Sequence, residues 1–228
     1  MFGIAKIHPF VEKTNFFSQF LSNFAAMEKT QVTLKLELPQ GGSRVLLHSC
    51  CAPCSGAILE CMLANGIRPA IFFSNSNIVP KEEYELRKAE ITRYAESLGL
   101  EVIDDDYDHE QWLRCVKGLE NEPERGSRCM ECFRFRLLRA ARWAAANGYD
   151  VLATTLASSR WKSLEQVNAA GEWACGELPV TFWAGNWRKG GLQPRRNEII
   201  REQSFYNQNF CGCEFSKGIN TDRQEGQD

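Results

Sequence analysis

Several things are missing from this chain, and each absence narrows what it can do. No apolar run approaches the ~20 residues needed to cross a bilayer, so no membrane role is expected. The opening "MFGIAKIHPFVEKTNFFSQF" is interrupted by Lys6, Glu12 and Lys13, leaves no continuous core for a signal peptide, and makes a cytoplasmic location the expectation. Glycine is scarce where a nucleotide-binding protein would keep it. The stretch "VLLHSCCAPCSGAILECM" (45–62) follows an apolar run into a helical pattern with Gly56 as its one glycine, and no G-x-G-x-x-G occurs in the chain. A dinucleotide fingerprint and the Gly/Ser phosphate cradle of an ATP pyrophosphatase are both excluded. Excess charge is lacking too: 27 Lys plus Arg against 29 Asp plus Glu leaves −2, which announces no nucleic-acid partner by itself.

Cysteine is abundant instead, with ten in 228 residues. With no sign of secretion, clustered cysteines read as metal ligands or redox groups rather than as a disulfide framework. Seven fall in three groups, Cys50/Cys51/Cys54, Cys129/Cys132 and Cys211/Cys213. Cys61, Cys115 and Cys175 stand singly among apolar or helical neighbours and are expected to be small buried residues.

The remaining pattern alternates strand and helix. Residues 1–43 form an N-terminal extension, with helical apolar spacing over 10–29 and a strand-like alternation in "QVTLKLEL" (31–38); 44–217 form the main domain, and 218–228 a polar tail. From Arg44 onward, strands are expected in "RVLLHS", "RPAIFFS", "LEVIDDD", "YDVLATTL" and "PVTFWA", separated by helices. That order specifies βαβ units and a doubly wound, mostly parallel α/β sheet with helices on both faces. Ligands of such folds bind beyond the carboxyl ends of the strands, near the switch in strand order. Cys50, Cys51 and Cys54 follow the first strand, Asn75 and Asn77 the second, Asp104–Asp106 the third, and Thr154, Thr155, Ser158 and Ser159 the fourth. All of these loops open on one rim.

Cys129 and Cys132 form a C-x-x-C at the start of a helix, where unpaired amides favour thiolate. Two cysteines of the first loop with this pair make four thiolates, the shell of an iron–sulfur cluster or of zinc. Consecutive cysteines point in different directions and suit a large cluster better than one small ion; zinc, and a plain core role for Cys50 and Cys51, remain open. Cys211-Gly212-Cys213 permits a strained, easily reduced disulfide, a second metal clip or a C-terminal turn. His48, at a strand end, reads as a hydrogen-bonded structural residue or a ligand.

With these motifs the chain resembles the QueH-type, cobalamin-independent epoxyqueuosine reductases. The resemblance is carried by "LLHSCCAPCS" (46–55), "NSNIVPKEEYELR" (75–87), "DDDYDHEQW" (104–112), "KGLENEPERGSRCMECFRFRL" (117–137) and "NQNFCGCEFS" (207–216). Ser76 stands where that family more often has Pro, and "SSRWKS" also departs from its pattern. The resemblance implies an adenine-nucleotide-hydrolase-like (Rossmann-like) fold and reduction of epoxyqueuosine to queuosine at the wobble position of tRNA. It implies a 4Fe-4S cluster on Cys50, Cys51, Cys129 and Cys132, and a redox-active pair at Cys211 and Cys213. An additional mononuclear iron is implied as well, with Cys54 and an acid of the 104–108 loop as its expected ligands. Asp106, with Asp104 and Asp108 as alternatives, is the candidate metal ligand or proton donor.

On this reading the partners are tRNA carrying epoxyqueuosine and an unidentified electron donor. Positive surface is expected from Arg125, Arg128, Arg134, Arg136, Arg139 and Arg142, from Trp187, Arg188 and Lys189, and from Arg195, Arg196 and Arg201. The rivals are another iron–sulfur tRNA-modifying enzyme such as a thiotransferase, a thiol/disulfide oxidoreductase, and a non-catalytic zinc-binding RNA module.

Overall fold

A computed structural model describes residues 34–39 and 41–216. The expected helix over 10–29 and the polar tail 218–228 lie outside the described residues. The elements run β1 (Val45–Ser49), α1 (Ala52–Ala64), β2 (Ala70–Phe73), α2 (Lys81–Ser97), β3 (Val102–Asp104), α3 (His109–Cys115), α4 (Ser127–Ala146), β4 (Val151–Thr154), α5 (Leu164–Cys175), β5 (Thr181–Phe182) and α6 (Leu192–Glu202). A 3₁₀ turn, Thr155–Ser158, follows β4, and another, Glu214–Ser216, follows the C-G-C stretch.

All five strands are parallel, in the order β3-β2-β1-β4-β5. The central strands β1, β2 and β4 are buried along their whole length, which is why they read as continuous apolar runs rather than alternating ones. The doubly wound architecture expected from the sequence is present. Its switch lies between β1 and β4, where Leu46 pairs with Leu152 and His48 with Thr154. Crossovers to one side of the sheet follow β1, and the chain after β4 turns to the other, so a crevice opens above this pair.

α1 is buried nearly all round, with Ala57, Ile58, Leu59 and Met62 in the core. Gly56 serves packing: a Cβ there would stand 3.0 Å from Ile199 of α6. Leu34, Leu36 and Leu38 pack against the core with the alternation the sequence predicts, yet the segment forms no strand. Its backbone is satisfied by a side chain instead. Leu36 N donates to Asn65 Oδ1 (3.0 Å), and Asn65 Nδ2 donates to Leu34 O (3.1 Å), so no sheet edge is needed. No helix among the described residues is long and apolar enough to cross a membrane.

Candidate active site

The first wall of the crevice is the turn from β1 into α1. Cys50 N donates to Thr155 Oγ1 (3.1 Å), and that hydroxyl donates to Cys50 Sγ (3.4 Å), tying the two switch-point loops together. Cys51 is the N-cap of α1 in extended conformation, with Pro53 in the first turn. The helix therefore starts ahead of Cys54, and three-residue spacing brings Cys54 beneath Cys51. The Sγ atoms of Cys50 and Cys51 are 3.8 Å apart, and those of Cys50, Cys51 and Cys54 all lie within 4.8 Å of one another. Hydrogen bonds from the Cys51 and Cys54 thiols hold Cys50 well below its ordinary pKa against the cost of burial, and Lys162 and Arg136 add positive potential. Cys51 and Cys54 are pushed up in return, by their hydrogen bonds to Cys50. The same contacts that lower Cys50 raise its two neighbours.

The second wall is the N-terminal end of α4. No acid occupies its first turn, but the Glu122 carboxylate accepts from Ser127 N (3.2 Å) and caps its positive end. Arg125 N donates to Cys129 Sγ (3.3 Å), while burial pushes the Cys129 thiol up to about 11. Burial also raises Cys132; Arg136 and the Trp112 indole oppose it. Arg136 is itself buried, and donates to Ser74 O (3.1 Å) and to Asn75 Oδ1. Asn75 Nδ2 donates in turn to Ser49 O (2.9 Å), which joins α4 to the loops after β1 and β2.

The third wall is the segment 207–216, which folds back over the rim. Gln208 Nε2 donates to Cys51 Sγ (2.7 Å), Arg87 Nη1 to Cys211 O (3.1 Å) and Val79 N to Gly212 O (3.0 Å). Cys213 packs with Trp112, Val116 and Cys132, and burial pushes its thiol up to about 12. Cys50, Cys51, Cys54, Cys129, Cys132, Cys211 and Cys213 thus line one cavity of about 530 Å³. Asn77, Ser158 and Ser159 from the expected rim line it as well.

Asp106 does not. It is exposed, outside the cavity lining, and its backbone carbonyl accepts from Arg139 Nη2 (3.2 Å). Its neighbours are engaged elsewhere: Asp104 by Tyr84 and Lys88, Asp105 by Arg139, and Asp108 as the N-cap of α3. Glu124 is the one carboxylate among the cavity's lining residues, against seven cationic side chains including Arg87, Arg136 and Lys162. The potential there favours thiolates and anionic ligands. Lys162, half-buried, has its pKa raised: burial opposes its charge, and the sulfurs of Cys211, Cys50 and Cys54 outweigh that cost. Sequence reasoning missed Glu124, Lys162 and Gln208, although Glu124 and Gln208 fall inside the quoted motifs. His48 is structural. Its Nε2 donates to Ser74 O (3.1 Å), its Nδ1 accepts from Thr154 (2.8 Å), and burial, with Arg136 adding to it, lowers its pKa to about 3.

Much of the expected basic surface is spent on the fold. Arg128 donates to Glu120 O and Glu122 O, Arg134 pairs with Glu131, Arg139 with Asp105 and Arg195 with Glu60. Trp187 is buried, at 2% exposure, and closed to stacking. Of the lone cysteines, Cys61 and Cys175 are buried as expected, but Cys115 is exposed because it ends the short helix α3.

The donor set fits thiolate ligation. Two N–H groups from two segments, of Gln208 and Arg125, donate to Cys51 and Cys129, the kind of support that ligated sulfurs require. Asn77 Oδ1, Ser158 Oγ and Gln208 Oε1 are buried in the cavity wall without a protein partner among the described residues, which suits a polar, hydroxylated ligand.

A family model described as "Epoxyqueuosine reductase QueH" matches residues 45–218. Among similar proteins of that name, one from Histophilus somni is 48% identical over 183 residues, covering 80% of this chain and 75% of its own length. One from Acinetobacter baylyi is 47% identical over 80% of this chain and 84% of its own length. One from Thermotoga maritima is 35% identical over 75% of this chain and 89% of its own length.

Proposed function

The chain belongs to the epoxyqueuosine reductase QueH family, and from that premise we propose how its cavity reduces epoxyqueuosine to queuosine at the wobble position of tRNA. One observation carries the reading: all seven clustered cysteines, from three distant parts of the chain, line a single cavity at the switch point.

Deoxygenating an epoxide breaks both C–O bonds, forms a C=C bond, and releases water for two electrons and two protons. The Cys211 and Cys213 thiols supply both pairs when they close to a disulfide, so atoms and electrons balance within one turnover, and an external donor, not yet identified, reopens the pair. A 4Fe-4S cluster on Cys50, Cys51, Cys129 and Cys132 would supply one-electron transfer, and a mononuclear iron at Cys54 would supply Lewis acidity toward the epoxide oxygen. The closeness of Cys50, Cys51 and Cys54 supports metal ligation in this loop, and the shared cavity with Cys129 and Cys132 supports a group that spans both walls. Asn77 and Gln208 offer unused acceptors to the hydroxyls of the substrate ring. For the carboxyl group that relays a thiol proton to the departing oxygen we favour Glu124, on the cavity wall, over Asp106, which is not.

Replacing Cys213 by Ser is expected to abolish multiple turnover and leave the visible absorption of the anaerobically loaded protein intact. Retained steady-state activity would remove the dithiol from the reaction. In cells, mass spectrometry of tRNA from a strain lacking the protein is expected to show accumulated epoxide, reversed by the wild-type chain. Material prepared without oxygen is expected to carry iron and labile sulfide; zinc alone would turn the reading toward a structural RNA module.

A further inference from the structure

A second cleft, of about 650 Å³, adjoins the cysteine cavity and shares Arg125, Arg160 and Lys162 with it. Arg188 lines its far side, and Glu165 is the one acid in its wall. Arg188 is fixed by bonds from Nε to Ala157 O (3.1 Å) and from Nη2 to Ser159 O (2.6 Å) and Lys162 O (2.8 Å). Arg125 is fixed likewise, from Nε to Trp161 O (3.0 Å) and from Nη2 to Arg160 O (3.0 Å). Both guanidinium groups are held by neutral carbonyls, so their charges are positioned without being neutralised, and no ion pair involves any of the four cations among the described residues. Burial, with the nearby Arg125 charge adding to it, lowers the pKa of Arg188. Trp161, 49% exposed, lines the cysteine cavity next to the shared Arg160 and Lys162, with the Arg160 guanidinium 4.7 Å from its ring centre.

We propose that this second cleft seats a backbone phosphate flanking the modified nucleotide, with Arg160 as its phosphate contact and Trp161 as the platform for the adjacent base. The inference rests on the RNA-reducing reading above. A strand whose wobble base enters the cysteine cavity must carry its next phosphate across the shared rim of Arg125, Arg160 and Lys162. Fixed cations select the polyanion, and an exposed aromatic holds an unstacked base, which is how single-stranded loops are gripped. Arg160 is the residue to change because its guanidinium rests on an exposed ring and makes no side-chain hydrogen bond or ion pair among the described residues.

The test measures binding of an anticodon stem-loop RNA bearing epoxyqueuosine across a potassium chloride series, with thermal melting as the folding control and epoxide reduction assayed on the same samples. Arg160→Ala is expected to weaken binding roughly tenfold at low salt and to flatten the log–log salt slope by about 0.7, one phosphate's worth of counter-ions. Arg160→Lys restores the slope, and Trp161→Ala weakens binding with the slope unchanged. Unchanged affinity and slope in Arg160→Ala, or wild-type binding indifferent to salt, overturns the proposal. So does unchanged RNA binding with slower reduction by an acidic electron-transfer protein, which would give the cleft to the donor. Wild-type protein that binds the stem-loop with the expected slope yet never reduces it upholds the cleft and rejects the reaction.

Discussion

Gly212 carries the backbone of the C-G-C turn at φ +100°, and a Cβ added there would stand 2.9 Å from Ile78. No L side chain adopts that conformation without strain, so the glycine keeps Cys211 and Cys213 facing the cavity while Gly212 O receives Val79 N. Gly212→Ala is expected to lower stability by about 2 kcal/mol in urea titration, and to reduce turnover further by displacing both thiols. At Cys54 the expectation concerns metal: Cys54→Ala should lower the bound iron by one equivalent and leave labile sulfide unchanged, read by metal and sulfide analysis. Residue identities were legible in the sequence where chemistry marks them, as in C-x-x-C and C-G-C. Their grouping was less so. Asp106 looked central because three consecutive aspartates end a strand. Where a side chain points depends on the local backbone and on tertiary partners, which residue type does not report.

Between elements, the strongest polar tie joins α1 to α6. Arg195 donates to both oxygens of Glu60, from Nε (2.7 Å) and Nη2 (2.9 Å), and both residues are buried. Among the described residues, Arg195→Met leaves the Glu60 carboxylate with only the Tyr94 hydroxyl, and should cost about 3–5 kcal/mol; pairing it with Glu60→Leu should recover most of that, since the lone buried charge is what costs. Sequence reading assigned Arg195 to RNA because a basic run on a helix carries no mark of a glutamate far away in the chain. A milder tie holds the start of β1. The Asp150 carboxylate accepts from Ser43 Oγ (2.6 Å) and from the amides of Ser43 (2.9 Å) and Arg44 (2.8 Å), and these bonds, that of the Ser43 hydroxyl foremost, lower its pKa. A carboxyl with a depressed folded pKa stabilises above the ordinary carboxylate range, and that stability is lost as pH falls through its folded value. Asp150→Asn should therefore be less stable than wild type at neutral pH, with the difference closing as denaturation is followed into acid. The five strands and their order of succession were legible from burial runs and breakers. The 34–38 segment was not, because alternation records which side chains are buried and leaves open whether a neighbouring strand exists.

Across the whole molecule, the thiols that define the site come from the β1–α1 turn, from α4 and from the segment after α6. Any group bound among them braces three parts of the chain together, so anaerobic loading should raise the melting temperature, and a chelator should return it to that of the metal-free protein. Cys129→Ser should shrink that increment without greatly changing the metal-free value, which differential scanning calorimetry would show. The rim on which these loops meet was foreseeable from the parallel βαβ order alone. The adjoining cationic cleft was not, because it arises where the loops at 125, 160 and 188 meet, and those positions share no sequence pattern. The enclosure also sets a timetable for biogenesis. Because a ribosome delivers Cys50 first and Cys213 last, the earliest thiols wait through most of synthesis with their roof still untranslated, so any group held by all three segments is expected to be completed only after this domain is.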